Sequence, residues 1–252
     1  MSPAGDRAGH SDKGERVFET TQWSVVLAAS GDDSPQAREA IEKLCRTYWY
    51  PVYAFARKRG HSPDDAQDVT QEFFARVLQK GSLGKARPER GRFRWFLLAA
   101  LRHFLANEWD KARALKRGGG MRFISLDQAE AEQRYAGELS DEETPERVYE
   151  RSWGLTVIEQ ARCRLREEFE RMGKSARFES LHRLLPGEDG DVSQAELARQ
   201  LGMPEGTVRS EVCRFRQRFA ESVRVEIAHT VADPADIDAE IQHLMEVVSS
   251  HG

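Results

Sequence analysis

The sequence predicts an all-α protein: two small helical modules joined by an acidic linker, the second module ending in a helix-turn-helix. Three observations lead there. Apolar residues recur at threes and fours over several long stretches, the spacing that buries one face of a helix, while long β-branched runs are scarce. Helix-starting signals, a capping Ser or Asp followed by Pro, precede several of these stretches. Charge is segregated along the chain, although its 38 basic and 42 acidic residues leave a net charge of only −4 over 252 residues. A chain of this length accommodates one large domain or two small ones.

The first 19 residues are rich in Gly, Ser and charge and read as a disordered arm. The first module is expected over 20–122. Thr20 or Thr21 can cap a short helix with Trp23, Val26 and Leu27 on its apolar side. Ser34-Pro35 then starts a long helix to about Arg59, with Ile41, Leu44, Cys45, Tyr48, Val52 and Phe55 on one face and a kink at Pro51. Gly60-His61 breaks the chain. Ser62-Pro63-Asp64-Asp65 places a cap, a proline at the first helical position and acids in the first turn of the next helix. That helix, to about Gln79, buries Ala66, Val69, Phe73 and Val77, with Phe74 as a further candidate, and leaves an exposed side of Asp64, Asp65, Asp68, Gln71, Glu72 and Arg76, acidic and glutamine-bearing. Acids collected at one end suit a basic protein partner.

The stretch from Lys85 to Arg122 carries eleven cations against three anions, interleaved with Phe93, Trp95, Phe96, Phe104 and Trp109. Cations neutralise phosphates and aromatic faces stack on unpaired bases, so this composition suits nucleic acid, single strands included. A helix is expected from Phe93 to about Lys116, with Trp95, Leu98, Leu101, Leu105 and Trp109 on its packed face. Gly118-Gly119-Gly120 ends it. The segment 123–145 reads as a mostly unstructured acidic connector; from Asp127 to Arg151 nine anions face three cations.

The second module is expected over 146–231. Its first helix carries Val148, Trp153, Val157, Ala161, Leu165 and Phe169, and a shorter one Phe178, Leu181, Leu184 and Leu185. In Val192 to Phe219, Ser193 and Glu196 form a capping box, Gly202 permits a tight turn, and Pro204-Glu205 opens a second helix. Val208, Val212, Phe215 and Phe219 bury one side of that helix. Arg209, Ser210, Cys213 and Arg214 are left on the other, where arginine can read guanine and serine a base or a phosphate.

The layout resembles a bacterial RNA polymerase sigma factor of the extracytoplasmic-function type over about Thr20 to Val231. SPDDAQDVTQEFFARVL, from Ser62, is similar to the family's helix that grips the clamp helices of the polymerase β′ subunit. FRWFLLAALRHFLANEWDKARA, from Phe93, resembles its helix that recognises and opens the −10 promoter element. SQAELARQLGMPEGTVRSEVCRFRQRF, from Ser193, resembles its −35-reading helix-turn-helix. The resemblance implies polymerase binding by Asp65, Asp68, Gln71 and Glu72. It implies −10 contact by Arg94, Trp95, Arg102, His103 and Asn107, with Lys111 and Arg113 adding charge on the same helix, and −35 contact by Arg209, Ser210, Cys213 and Arg214. His103 stands where the family usually carries Asn, and Glu211 is acidic where the family is often basic. The implied partners are core RNA polymerase and promoter DNA, with room for an anti-sigma factor.

No HExxH, GxSxG, P-loop or GxGxxG motif occurs, so no catalytic residue, metal or cofactor is expected and the chain is read as a non-enzyme. The three cysteines are far apart and read as buried or half-buried thiols. With no apolar run of membrane length and a polar start, a cytoplasmic location is expected and no membrane partner. A free-standing helix-turn-helix regulator, binding an operator without polymerase, is the alternative. The last segment, 232–252, starts at Asp233-Pro234 and places Ile237, Ile241, Leu244, Met245 and Val248 on one stripe. Its residues favour a helix packed on the second module; the other reading is an autoregulatory or partner-binding tail.

Overall fold

The structure, a computed structural model, describes residues 35–77, 92–107, 128–138, 143–185 and 193–249. Among the described residues all regular structure is helical. The elements are α1 (Pro35–Lys58), α2 (Pro63–Val77), α3 (Phe93–Asn107), α4 (Gln128–Glu138), α5 (Pro145–Arg171), α6 (Ser175–Leu181), α7 (Gln194–Leu201), α8 (Glu205–Ala228) and α9 (Ile237–Ser249), with 3-10 turns at His182–Leu184 and Pro234–Asp236. The early helix around Trp23, the end of the basic helix with Lys111 and Arg113, and the triple glycine lie outside the described residues.

Helix α1 is the centre. The expected single buried face is too narrow: every residue from Thr47 to Ala56 is buried. The segment YWYPVYAFA has no charged side chain, so a full turn and more of its circumference must be covered. Helices α2, α3, α4 and α5 all pack against α1. The helix runs on through Pro51. Cys45 lies in this core, and burial pushes its thiol up to about 12, which keeps it protonated. Contrary to the sequence expectation, Cys163 and Cys213 are exposed.

Helix α2 begins as expected: the Ser62 Oγ accepts from the Asp65 backbone N–H at 3.2 Å. Ala66, Val69, Thr70, Phe73, Phe74 and Val77 are buried. In α3 the buried residues are Phe93, Arg94, Leu97, Leu101 and Phe104; of the expected series Leu101 is buried, Leu98 and Leu105 are half-buried against the core, Trp95 faces out, and Trp109 lies outside the described residues. Trp95 is 48% exposed. Apolar residues encircle this helix, so periodicity alone does not choose the face. The choice falls to the Phe93 ring, which meets Tyr48 edge-on at 5.0 Å, and to the Phe104 ring, 5.8 Å from Phe73.

The acidic connector is not unstructured over Gln128–Glu138. There it forms α4, because its acids have partners. Glu132 takes Arg57 at 2.6 Å and accepts from the Tyr53 hydroxyl. Its bond to Arg57 holds the Glu132 carboxyl below the usual carboxylate range. Glu138 accepts from the Tyr50 hydroxyl at 2.9 Å, and Arg134 lies 3.8 Å from the centre of the Tyr50 ring while donating to Thr156 Oγ1 at 3.1 Å. Ala131 and Tyr135 are buried beneath these contacts. Helix α4 thereby bridges α1 and α5.

Helix α5 starts at Thr144, whose side chain accepts from the Arg147 N–H, with Pro145 at the first helical position. Val148, Trp153, Val157, Ala161, Leu165 and Phe169 are buried as expected. Its long axis joins the two helical groups: it packs on α1 on one side and on α8 and α9 on the other, and a single core runs through it. Near its end the rings of Phe169, Phe178 and Phe215 meet at 5.5–6.1 Å, and this cluster seats α6 and α8.

Two helices joined by a tight turn, α7 and α8, occupy the segment read as a helix-turn-helix. Ser193 Oγ accepts from the Glu196 N–H at 3.2 Å. At the turn Gly202 has φ +62°, its N–H reaches Arg199 O, and the Met203 N–H bonds to Ala198 O at 3.0 Å, which closes the end of α7 in the double-bond arrangement that a left-handed residue allows. A Cβ there would meet nothing within 4 Å. The cost of Gly202→Ala is therefore backbone strain alone, and the urea midpoint should fall by the equivalent of about 1 kcal/mol with an unchanged m-value.

Asp233 Oδ1 accepts from the Ala235 N–H at 2.8 Å and starts the last segment. Helix α9 packs on α5 and α8, which matches the first of the two readings of the tail. Ile237 and Leu244 are buried, Ile241 and Val248 half-buried; Met245, expected in the stripe, is 56% exposed, and Glu240 is buried instead. Gly154 of α5 makes room for this crossing, since a Cβ there would stand 3.1 Å from the side chains of Leu244, Val247 and Val248. Among the described residues no helix is long and apolar enough to cross a membrane.

Candidate nucleic-acid and protein interfaces

On α2, residues Asp65, Asp68, Gln71 and Glu72 fall within about 120° of the helix circumference. They lie opposite the buried residues; Asp68 is exposed and the other three are half-exposed. The Ser62 hydroxyl donates to Asp65 Oδ2 at 2.9 Å, which fixes that carboxylate at the helix start. The result is an acidic patch on a rigid helix, held by α1 behind it.

On α3 the expected contact residues separate. Trp95, Arg102, His103 and Asn107 are exposed and share, with Ala99 and Ala106, a face of about 140°. Trp95 presents its indole to solvent with the guanidinium groups of Arg92 and Arg94 each 5.0 Å from its ring. Asn107 Nδ2 stands 3.1 Å from His103 Nδ1, so these two side chains form one polar unit. Arg94, in contrast, is 1% exposed and points inward. Its Nε donates to Glu240 Oε1 at 2.6 Å and its Nη1 donates to Glu150 Oε2.

Residues 44–114 match the family model of sigma-70 region 2. The match supports a sigma-70 family factor, and it covers most of α1 with all of α2 and α3, the helices that carry the acidic patch and the Trp95 face. Searches of curated proteins and of solved structures returned no match. The sigma-70 family is not a family of enzymes. Among the described residues no group of His, Cys, Asp and Glu could hold a metal ion.

Beyond region 2, the helix-turn-helix presents a second basic face. Arg209, Ser210, Cys213 and Arg214 are exposed, as are Arg216 and Gln217, while Val208, Phe215 and Phe219 are buried on the opposite side. Glu211 turns away from the solvent face. Its carboxylate holds Arg177 of α6 at 3.1 Å and Arg214 at 3.0 Å, so it fixes the recognition-helix candidate to its neighbour and orients one of its arginines.

Three carboxylates that the sequence reading did not single out as site residues meet the cations of the region-2 helix. Arg102 pairs with Glu146 at 2.7 Å, Arg94 with Glu150 and Glu240, and Arg92 with Glu240 at 2.7 Å. His243 Nε2 lies 2.9 Å from Glu150 Oε2. Glu240 had a sequence signal: three residues after Ile237 and four before Leu244, it sits in the apolar register of α9, where a carboxylate needs a buried cation.

Proposed function

We propose that the chain is a promoter-specificity subunit of the extracytoplasmic-function type, which binds core RNA polymerase and directs initiation at −35 and −10 elements. The observation that carries this reading is the sigma-70 region 2 match, which falls on a module with an acidic patch on one helix and an exposed tryptophan set among arginines on another. In this reading Asp65, Asp68, Gln71 and Glu72 meet the β′ clamp helices. The Trp95, Arg102, His103 and Asn107 face captures melted −10 bases, with Lys111 and Arg113 adding phosphate contacts. Arg209, Ser210, Cys213 and Arg214 read the −35 duplex from the major groove. No chemistry takes place on this chain; the polymerase performs it.

Transcription in vitro with core polymerase, with and without the full chain, tests the reading. Promoter-dependent transcripts and a stable complex with core are expected. Failure to bind core sinks the proposal, and a footprint on a promoter without polymerase favours a free-standing regulator. Trp95→Ala should lower open-complex formation by about tenfold, the loss of one stacked base, and leave core binding unchanged. Equal loss of both would show that Trp95 serves the fold.

A further inference from the structure

Three cations on or beside the proposed nucleic-acid-binding helix are paired from within. Arg92, Arg94 and Arg102 lie on or beside α3; Glu146 and Glu150 lie on α5, and Glu240 on α9. Every one of these ion pairs crosses from the region-2 module to the helices that follow it. The innermost pair is fully desolvated, with Arg94 1% and Glu240 0% exposed. Arg94 also lies between two indoles, 5.0 Å from Trp95 and 5.3 Å from Trp153, and its backbone carbonyl accepts from the Tyr149 hydroxyl at 3.2 Å. The ring offered to bases is thus held by a guanidinium whose charge belongs to α9.

We propose that α9 and the first turns of α5 form an internal lock on the region-2 helix, in which Glu146, Glu150 and Glu240 occupy the arginines that nucleic-acid phosphates would otherwise take. The free chain is then self-shielded. It binds single-stranded DNA weakly until Arg94 is released from Glu240, and binding of DNA and closure of α9 oppose each other, since one set of arginines serves both. The lock rests on the proposed reading of α3 as a nucleic-acid-binding helix. It accounts for a charged group in the middle of an otherwise apolar stripe, where leucine would pack without a partner.

The test uses the full chain and a short fluorescein-labelled single-stranded DNA, with affinity read by anisotropy at fixed salt. Glu240→Gln keeps the side-chain volume and removes the charge that holds Arg94. It should tighten binding by about tenfold. Glu146→Gln, at the rim, should give a smaller gain without leaving a buried charge unpaired. Asp238→Asn removes the same charge from an exposed position of the same helix, where its partner is Arg224, and should change affinity little. Unchanged or weaker binding by Glu240→Gln overturns the lock, as does an equal gain in Asp238→Asn, which would reduce the effect to net charge. Should Glu240→Gln fail to fold, the Glu146→Gln arm decides: no gain there overturns the lock. Core-dependent transcription by the unmodified chain is measured alongside. Its absence would count against the sigma reading, whereas transcription with no gain in affinity counts against the lock alone.

Discussion

Arg94→Ala should destabilise the full chain by about 3 kcal/mol, the low end of the cost of breaking a buried ion pair, because Glu240 keeps Arg92 at 2.7 Å. The substitution leaves Glu240, 0% exposed, with Arg92 as its remaining cation, and removes the guanidinium packed between Trp95 and Trp153. Such a loss is a large share of the roughly 5–15 kcal/mol that separates folded from unfolded domains. The pair itself is not a strong source of stability. Desolvating two charges cancels most of their attraction, so Arg94→Met combined with Glu240→Leu should recover part of the loss, the remainder coming from Arg92, which loses Glu240, and from Glu150, which keeps only His243. Urea unfolding of Arg94→Met, Glu240→Leu and the double variant gives the coupling energy directly. A single-variant loss below about 1 kcal/mol would contradict the burial on which this expectation stands.

Phe215→Ala should cost about 3–5 kcal/mol, with the damage centred on the helix-turn-helix. The ring is 1% exposed and meets both Phe169 and Phe178, so its removal opens a cavity at the one point where α5, α6 and α8 converge. Its chain neighbour Arg216, about 100° round the helix, is exposed, and Arg216→Ala should stay within about 0.5 kcal/mol. Hydrogen exchange along α7 and α8 checks both: protection should fall in Phe215→Ala and persist in Arg216→Ala. Comparable losses would mean that the aromatic cluster does not seat this helix.

Much of this fold could be read from the chain. The Ser-Pro-acid start of α2, the capping serine of α7 and the glycine at its end are local devices, completed within four or five residues. The apolar series of α5 is buried as read, although that helix is covered on two sides, and in α8 Val208, Phe215 and Phe219 are buried with Val212 half-buried beside them. What escaped was whatever depends on residues distant in sequence. The all-round burial of α1 needs α5 on its far side. The helix in the acidic connector needs Arg57, Tyr53 and Tyr50 as partners for its carboxylates. The packed face of α3 is chosen by Tyr48 and Phe73, and the inward turn of Arg94 by a glutamate 146 residues later. For the candidate site, Asp65, Asp68, Gln71 and Glu72 of α2, Trp95, Arg102, His103 and Asn107 of α3, and Arg209, Ser210, Cys213 and Arg214 of α8 are exposed or half-exposed. The carboxylates that meet those arginines are a property of the assembled helices.

Helix α4 also has a consequence for reach. Its 11 residues rise about 1.5 Å each, about 16 Å in all, whereas the same residues drawn out would span about 36–40 Å. Keeping it coiled shortens the tether by about 20 Å, near six base-pair steps at about 3.4 Å each. In the proposed reading, where α3 and α8 grip separate DNA elements, an intact α4 leaves that much less slack in the chain between them, and regaining it takes both the loss of the bonds to Tyr50, Tyr53 and Arg57 and the parting of α5 from α1.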